Sequence, residues 1–458
     1  MPRRLSLLAF AIVALALPVT AAARSGSPQA AAASGLWEQD TLAGDWDGLR
    51  KRLADSGIVF GLQEQSEVWD NSAGGRRRGA TYDGLTTASL QIDLDRLAGW
   101  SGATFFVDAF QIHGRGPSDN LVGNLQDVSN IEATRGAKLY DLWLEQTLLN
   151  GRLNVRLGQE GAADEMAIVG DAALFLNASF GFPAVPTTDL PSGGPNYPMA
   201  APFVRVRYRP GDAITLVGAA FSGDPAPPGG GDPQRRDAGG AAFRLNDHAL
   251  LFAELWYSRN AGRDAAGLPA VFKLGAWFDS GRFADPLYDS TGLSLANPAS
   301  SGVPRRHLHD FAFYGILDQT VWRKADNPHE GVAVFLQVMG APGDRNLSSL
   351  FVEAGLNWKA PIAGRDNDAF GLAVAYEGIG AAARRFSSGL AFFSGSGVPY
   401  DRNETVVEAT CQYQVAPWWT LQPDAQYVVN PGAGIPAGPN RKPLKDAFIV
   451  GVRAIITF

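Results

Sequence analysis

The chain has 458 residues, a formal net charge of −7, 53 glycines, 11 tryptophans and one cysteine, Cys411. One cysteine excludes an intrachain disulfide, and we expect Cys411 to lie on an apolar strand face without a chemical role. The negative charge argues against a nucleic-acid partner. The length would allow about two or three soluble domains, but no linker divides the chain. The many glycines and tryptophans and the scarcity of long helical patterns favour one large β structure.

The N-terminus has the pattern of a secretory signal peptide. Arg3 and Arg4 precede an apolar stretch over 5–17, and three alanines at 21–23 offer a cleavage site. We predict a signal peptide over 1–23 and a flexible leader over 24–40. Removing the two arginines takes the net charge from −7 to about −9. The apolar stretch is too short for a membrane helix, and no other run reaches about eighteen apolar residues.

One amphipathic helix is predicted before the strands begin. Four apolar residues are spaced by four, three and four positions and so share one helical face: Leu42, Trp46, Leu49 and Leu53. Gly57 follows as a C-terminal stop. We expect a helix over 41–57 that packs at the periplasmic rim, with a role in gating as the alternative.

Alternating apolar and polar residues recur along the rest of the chain. Because successive strand side chains point to opposite faces, this period of two predicts strands with one apolar face. The segments are about nine to eleven residues long, the length of a tilted membrane strand. The clearest lie at 88–94, 153–157, 204–208, 272–278, 352–358, 370–376, 407–413 and 448–458.

The last segment ends on an aromatic residue, Phe458. A terminal strand of this kind is typical of bacterial outer-membrane barrels, so we expect Phe458 to be recognised by the barrel-assembly machinery. The alternative for this segment is the last strand of a soluble sandwich. A soluble barrel would have the same period with its faces reversed. The signal peptide, the aromatic terminus and the loop pattern together favour the membrane form.

The connections alternate between short and long, as in barrels with short periplasmic turns and long external loops. Seventeen candidate strands can be counted, but bacterial single-chain barrels use even numbers. We assign the weakest segment, 239–245, to a loop. Sixteen strands then run from Ile58 to Phe458, enough for an aqueous channel. The predicted short connections are 97–102, 150–151, 210–212 and 416–418, and the long ones 70–84, 114–137, 161–201, 281–310 and 378–403.

Several short motifs occur together in a fixed order. They are LAGDWDGLR at 42–50, GGRRRG at 74–79, GNLQDVSNI at 123–131, LWLEQ at 142–146 with LGQ at 157–159, FGFP at 180–183, GAPGDRN at 340–346 and LQPDAQY at 421–427. The set resembles the carbohydrate-selective porin family of the OprB type and covers 42–458.

This resemblance implies a sixteen-stranded outer-membrane barrel that admits small sugars by diffusion. Because substrate identity does not carry over, a porin for other solutes and a barrel serving surface-polysaccharide export remain alternatives. We expect contacts with outer-membrane lipid and with lipopolysaccharide, the latter through the arginines at 76–78. An apolar strand face suits lipid and a neighbouring subunit equally, so the sequence leaves the choice between monomer and homotrimer open.

A sugar pore needs a constriction lined with hydrogen-bonding groups and an aromatic surface. The third external loop, 161–201, is the predicted constriction, because loops of this length are usually functional. The resemblance implies that it folds into the lumen. Its candidate contact residues are Asn177, Phe180, Phe182, Asn196 and Tyr197. Strand parity gives the inward-facing candidates Asp141, Trp143, Glu145, Arg156, Arg205, Arg207, Glu254, Lys273, Asp279, Glu353, Glu377 and Glu408.

No catalytic or cofactor-binding pattern is found. The chain lacks a Gly-x-Ser-x-Gly elbow, and no serine, histidine and acid can be grouped by spacing, as an outer-membrane hydrolase would need. His307 and His309 lie beside Arg305 and Arg306, which are poor neighbours for a metal cation. We therefore expect no metal, no cofactor and no catalysed reaction.

Overall fold

In a computed structural model of the chain, sixteen antiparallel strands form one closed barrel. The structure describes residues 35–261, 265, 267–325, 327, 330–395, 403–434 and 442–458, so the predicted signal peptide and most of the leader lie outside it. Sixteen strands confirm the predicted barrel.

The strands are β1 Ile58–Ala73, β2 Gly79–Asp93, β3 Ala103–Gly114, β4 Gly136–Leu148, β5 Leu153–Glu160, β6 Ala201–Tyr208, β7 Ile214–Ser222, β8 Ala249–Arg259, β9 Ala270–Asp289, β10 Pro304–Arg323, β11 Gly331–Gly340, β12 Ser348–Lys359, β13 Ala369–Ile379, β14 Glu404–Ala416, β15 Trp419–Val429 and β16 Ala447–Thr457. The α-helices are α1 Leu49–Asp55, α2 Leu94–Ala98, α3 Ala184–Asp189, α4 Pro233–Arg236 and α5 Ala381–Ser394. None of the helices in the described ranges is long and apolar enough to span a bilayer.

The apolar faces of the strands point outward. Val204 is 44% exposed and Leu274 is 66% exposed, whereas Arg205 and Glu353 on the opposite faces are 0% and 1% exposed. The predicted arrangement is therefore confirmed, with apolar side chains facing hydrocarbon and ionic side chains facing inward.

Strand β1 closes the barrel by pairing antiparallel with β16. At the centre of this seam Trp69 lies opposite Gly451 and is fully buried. The indole fits there because Gly451 has no side chain, since an added Cβ would lie 2.3 Å from Cε3 of Trp69. The indole nitrogen donates to Oε2 of Glu67 at 2.7 Å, and Arg453 pairs with the same carboxylate. The seam is thus held by packing and by charge.

Some strands extend farther than their alternation suggests. β1 and β2 leave only residues 74–78 between them, and β9 and β10 have twenty residues each and leave only 290–303. The predicted loops 70–84 and 281–310 were therefore too long. Beyond the membrane both faces of a strand meet water, so the apolar alternation of its side chains ends there. Backbone hydrogen bonding does not depend on that alternation, and the strands continue to pair.

The predicted N-terminal helix is shorter than expected, because only Leu49–Asp55 is helical. The four residues Gly44, Trp46, Asp47 and Gly48 have positive φ values, which a helix does not allow. Two contacts attach this segment to the end of the barrel. The N–H of Leu42 donates to the carbonyl of Thr457 at 2.8 Å, and Arg50 donates to the carbonyl of Phe458 at 2.7 Å.

Segment 239–245 forms no strand, as predicted. Instead it covers the free edge of β4, because β5 ends at Glu160 and leaves the upper part of β4 unpaired. The N–H of Leu139 donates to the carbonyl of Gly239 at 3.0 Å, and the side-chain amide of Gln159 donates to the carbonyl of Gly240 at 2.7 Å.

Replacing Gly451 by alanine tests the packing of the seam. The added Cβ would collide with Trp69, so we expect a loss of about 1–3 kcal/mol in the free energy of unfolding. Gly218→Ala is the matched control, because nothing lies within 4 Å of its Cβ. Urea unfolding followed by tryptophan fluorescence measures both variants. Equal unfolding midpoints for Gly451→Ala and the parent protein would contradict this packing.

Candidate solute pathway

Loop 161–200 connects β5 to β6 and lies inside the barrel. It bonds to inward-facing residues on distant strands: the N–H of Ala167 donates to Oε1 of Glu254 at 2.7 Å, and Oγ1 of Thr188 donates to Oε1 of Glu377 at 3.1 Å. Since Glu254 lies on β8 and Glu377 on β13, the loop crosses the lumen. This is the inward-folded third external loop that was expected.

The middle of the loop is held by two further wall residues. The N–H groups of Leu176 and Asn177 donate to the two carboxylate oxygens of Glu408 at 2.6 and 3.0 Å. Nζ of Lys273 donates to the carbonyl of Ile168 at 2.8 Å. Four of the predicted inward-facing charges, at positions 254, 273, 377 and 408, therefore hold the loop against the wall.

Three of the predicted loop residues are buried between the loop and the wall. Asn177, Phe180 and Phe182 are at most 4% exposed, and the Phe180 ring packs on Phe175 and Phe335. The amide of Asn177 donates to Oε1 of Gln426 at 3.1 Å. This structure gives the three residues no free surface for a solute and makes them packing residues, which corrects their assignment as contacts.

The other two predicted loop residues are half-buried. Nδ2 of Asn196 lies 3.5 Å from the hydroxyl of Thr187, within the same loop. The hydroxyl of Tyr197 donates to the carbonyl of Ile131 at 2.8 Å, and its ring packs on Phe110. Tyr197 therefore joins this loop to the one that precedes it in the chain.

That preceding loop, 115–135, also enters the barrel. The N–H groups of Leu125 and Gln126 donate to the carboxylate of Glu404 at 2.8 to 3.0 Å. Nε2 of Gln426 donates to the carbonyl of Val128 at 2.8 Å. The sequence predicted this segment only as a long connection, and its entry into the lumen as a second inward loop was not predicted.

Six charged side chains of alternating sign form a continuous series on the inner wall, called here the charge ladder: Glu160, Arg156, Glu145, Arg205, Glu165 and Arg207. Arg156 donates to Glu160 from Nη1 and to Glu145 from Nε, both at 2.9 Å. Arg205 donates to Glu145 at 3.1 Å, and its Nε lies 2.7 Å from Glu165. Arg207 pairs with the same Glu165. The ladder therefore joins β4, β5, β6 and the inward loop.

Members of the ladder differ in their exposure. The side chains of Glu145, Arg156 and Arg207 are 19%, 18% and 25% exposed, whereas that of Arg205 is 0% exposed. Glu145, Arg156 and Arg207 are therefore the members of these four that keep free surface. Arg205 is instead buried and pairs with two other members of the ladder, Glu145 and Glu165.

Two tryptophans lie beside the ladder. The guanidinium of Arg156 lies 4.0 Å from the centroid of Trp143, and Phe106 stacks on the same indole at 5.0 Å. Nζ of Lys273 lies 4.5 Å from the centroid of Trp256. Trp143 thus supports Arg156, whereas Trp256 borders open space.

That space is a cavity of about 730 Å³ that reaches the turns at 150–152 and 209–212. Its lining combines the indole of Trp256 with the charged groups of Lys273 and Asp318 and with loop residues 168–170. An aromatic surface surrounded by a few polar groups is the usual composition of a small-molecule site.

Asp141 belongs to an acidic region near the start of the inward loop. Its N–H donates to Oδ1 of Asp108 at 2.9 Å, and both residues are buried. Burial, together with the negative charges of Glu160 and Asp108, raises the pKa of Asp164 well above its usual range. These groups belong to the wall packing and present no surface to a solute.

Asp279 and Glu353 are also buried. Oδ1 of Asp279 accepts the N–H of Gly281 at 2.7 Å and lies 3.1 Å from Nε2 of His248. Neither carboxylate oxygen of Glu353 has a hydrogen-bond partner among the described residues. Both side chains are buried on the inner face of the wall, as parity predicted.

Three residues of this region were not among the predicted site residues: Glu160, Glu165 and Trp256. Parity could have found two of them, because Glu160 shares a strand face with Arg156, and Trp256 shares one with Glu254. Glu165 gave no signal, because it lies in an irregular loop where side-chain direction has no period.

In the part of the chain that the structure describes, no three histidine, cysteine, aspartate or glutamate side chains are placed to hold a metal ion. His307 pairs with Asp285 at 3.1 Å, and His309 packs on the ring of Phe278.

Comparison with known proteins gives a consistent result. The model of the family described as "Carbohydrate-selective porin, OprB family" matches residues 77–458. Porin B of Pseudomonas aeruginosa is 24% identical over 408 residues, which are 85% of this chain and 87% of that protein.

Solved structures agree with the fold. The high-pH structure of Pseudomonas putida OprB aligns with a TM-score of 0.80 at 22% identity, over 92% of this chain and 99% of that one. The low-pH structure of the same protein aligns over the same shares with a TM-score of 0.56 at 16% identity.

The family match covers most of the chain, from the first external loop to the terminal phenylalanine. The chain therefore belongs to the carbohydrate-selective porin family of the OprB type and is a channel of the bacterial outer membrane.

Proposed function

We propose that small, uncharged sugars diffuse through this barrel past a constriction formed by loop 161–200 and the charge ladder. The observation that carries the proposal is the ladder itself, a row of guanidinium and carboxylate groups on the wall beside the inward loop. Ionised groups form stronger hydrogen bonds with hydroxyls than neutral groups do. A sugar that loses part of its hydration shell would find replacement partners here.

The ladder also explains how a sugar would leave again. Each charged group in it already has a partner, so a sugar hydroxyl competes for bonds and binds weakly. Conduction requires that binding be favourable enough for entry and weak enough for release. The three positive and three negative charges balance, which suits a neutral solute better than an ion. No catalysed step is part of this proposal.

The alternative is a barrel for export of surface polysaccharide, which would share the fold. Two inward loops argue against it, because both lie in the lumen through which a polymer would have to pass. We further propose that the external arginines at 76–78 contact lipopolysaccharide and that Phe458 is recognised during barrel assembly.

Liposome swelling tests the proposed function. Purified protein in liposomes should admit monosaccharides much faster than trisaccharides or longer chains, because the inward loops narrow the path. Empty liposomes are the control for leakage. Failure to swell with any monosaccharide, from a preparation that conducts ions in a bilayer, would refute the sugar pathway.

Replacing Arg205 and Arg207 together by alanine tests the ladder. Removing two positive charges from the wall leaves Glu165 unpaired, so we expect the channel to shift toward cation selectivity and to change its conductance. The matched control is Arg52→Ala with Arg96→Ala, which removes the same charge from exposed periplasmic positions. Reversal potentials in a planar bilayer measure both. Identical potentials for the two double variants would remove the arginines from the pathway.

Trp256→Ala tests the aromatic surface of the cavity. If a sugar ring packs on this indole, its loss should weaken sugar-dependent block of the ion current by roughly threefold to tenfold. Trp322→Ala is the control, because that indole is exposed on the outer surface. Single-channel recording at increasing sugar concentration gives the blocking constant. A constant unchanged by Trp256→Ala would exclude the stacking contact.

A further inference from the structure

Two carboxylates lie directly opposite each other on the inner face of the wall, where β9 and β10 pair. The register matches Asp310 with Asp279, and both residues are 0% exposed. Residues in such positions have Cβ atoms about 5 Å apart, and like charges placed there destabilise a sheet. The pair therefore needs a compensating partner.

Only one oxygen of each carboxylate is satisfied. Oδ1 of Asp279 accepts the N–H of Gly281 at 2.7 Å, and Oδ1 of Asp310 accepts the N–H of Phe311 at 2.9 Å. Neither Oδ2 atom has a hydrogen-bond partner among the described residues. Two buried carboxylate oxygens on neighbouring strands thus remain without a donor.

A third oxygen of this kind belongs to Asn346, which is 1% exposed. Its Nδ2 donates to Oδ1 of Asp310 at 3.0 Å, so the amide lies against the carboxylate pair. Its Oδ1 also has no hydrogen-bond partner in the part of the chain that the structure describes. A carboxamide oxygen carries partial negative charge, so it adds to the excess of acceptors here.

The basic side chains nearby are engaged with other groups. Nε2 of His248 lies 3.1 Å from Oδ1 of Asp279, and its Nδ1 lies 2.6 Å from Asp247. Arg345 pairs with Asp344 at 2.9 Å and donates to two main-chain carbonyls of β10. Neither base donates to one of the free Oδ2 atoms.

Buried charges in proteins are either paired or coordinate a metal ion. Ca²⁺ takes about six to eight oxygen ligands in flexible geometry, including carboxylates, amide carbonyls and water. Mg²⁺ demands a nearly ideal octahedron and usually keeps several waters, which suits a buried site less well. A site of two carboxylates and one amide differs from the arrangements of three acidic, histidine or cysteine ligands that the described residues lack.

We propose that Asp279, Asp310 and Asn346 bind a Ca²⁺ ion through their three free oxygens. The ion supplies the positive charge that the opposed carboxylates need, and it joins β9 and β10 to segment 341–347, the connection between β11 and β12. The sequence predicted no metal site, because these three residues are far apart in the chain.

The site is linked to the inward loop through the residues that follow Asn346. The N–H groups of Leu347 and Ser348 donate to Oδ1 of Asp189 at 2.7 and 3.2 Å. Asp189 ends helix α3 of loop 161–200. An ion that fixes Asn346 therefore also steadies one attachment of the inward loop.

Calorimetric titration of the purified, chelator-treated protein with Ca²⁺ tests the proposal. We expect one Ca²⁺ per chain and an affinity at least tenfold weaker in Asp310→Asn, which keeps the shape of the side chain and removes its charge. The matched control is Glu353→Gln, a buried inner-wall carboxylate that lies opposite Gln337 and Ala375 rather than an acid. Its affinity should stay within twofold of the parent value.

Three results of this titration would overturn the site. They are the absence of Ca²⁺ binding by the parent protein, a parent-like affinity in Asp310→Asn, and a loss in Glu353→Gln as large as in Asp310→Asn. Mg²⁺ should bind at least tenfold more weakly than Ca²⁺, and equal affinities would overturn the choice of ion.

Thermal unfolding separates a lost ligand from a damaged fold. In chelator, Asp310→Asn should unfold at the parent temperature or higher, because one of two opposed charges is gone. Saturating Ca²⁺ should then raise the midpoint of the parent protein and leave that of the variant unchanged. A variant that is less stable than the parent in chelator would show that the pair is stable without a metal ion.

Terbium luminescence locates the ion. Tb³⁺ replaces Ca²⁺ at oxygen sites and emits when a nearby indole absorbs light. Trp277 is buried on the inward face of β9, two residues and about 7 Å along the strand from Asp279. Emission should fall at least threefold in Trp277→Phe and stay unchanged in Trp322→Phe, whose indole is exposed on the outer surface. Emission that is independent of Trp277, or that Ca²⁺ does not displace, would overturn the proposed position.

Discussion

The structure depends on one constraint, which is that every backbone N–H and C=O inside hydrocarbon needs a partner within the protein. A closed sheet meets this requirement, and the pairing of β1 with β16 completes the closure. The seam contains a buried tryptophan seated over a glycine, with an arginine and a glutamate beside it. Where β5 is short, segment 239–240 supplies partners to the uncovered part of β4. The same requirement thus explains both the barrel and its irregularities.

Closure creates an interior that two inward loops enter. Inward carboxylates serve as acceptors for the backbone N–H groups of these loops, as Glu404 and Glu408 show. This use of charge explains why so many inward-facing acids are buried rather than solvated. The charge ladder differs because its members satisfy one another and three of them remain partly exposed. The interior therefore separates into groups that hold loops and groups that keep some free surface.

Much of the fold could be predicted from the sequence because a period of two is a strong signal. Parity correctly placed Arg205 and Glu254 on the inner face, and the short connections marked one end of the barrel. The ends of β9 and β10 could not be predicted, because strands outside the bilayer lose their apolar face but keep their backbone pairing. The roles of Glu254 and Glu408 as loop anchors also escaped prediction. Their partners are backbone N–H groups far away in the chain, and these leave no trace in composition.

The candidate site was harder to predict than the fold for a related reason. Phe180 and Phe182 were assigned as solute contacts because aromatic residues in a long loop suit sugar binding, but this loop uses them to pack on the wall. Glu165 joins the ladder only because the loop folds inward. The imidazole of His113 on β3 reaches Glu64 on β1 by crossing Gly84 of β2. Contacts of this kind depend on three-dimensional register, which local patterns do not encode.

The way in which the inward loop is held has an evolutionary consequence. Glu254 and Glu408 bind main-chain amides, which every residue except proline possesses. Side chains on the free side of the loop can therefore be exchanged without loosening its attachment. A lineage could alter the size or polarity of the opening by a few substitutions while the frame stays intact. One barrel could in this way come to admit different nutrients while its strands and the attachment of its inward loop stay the same.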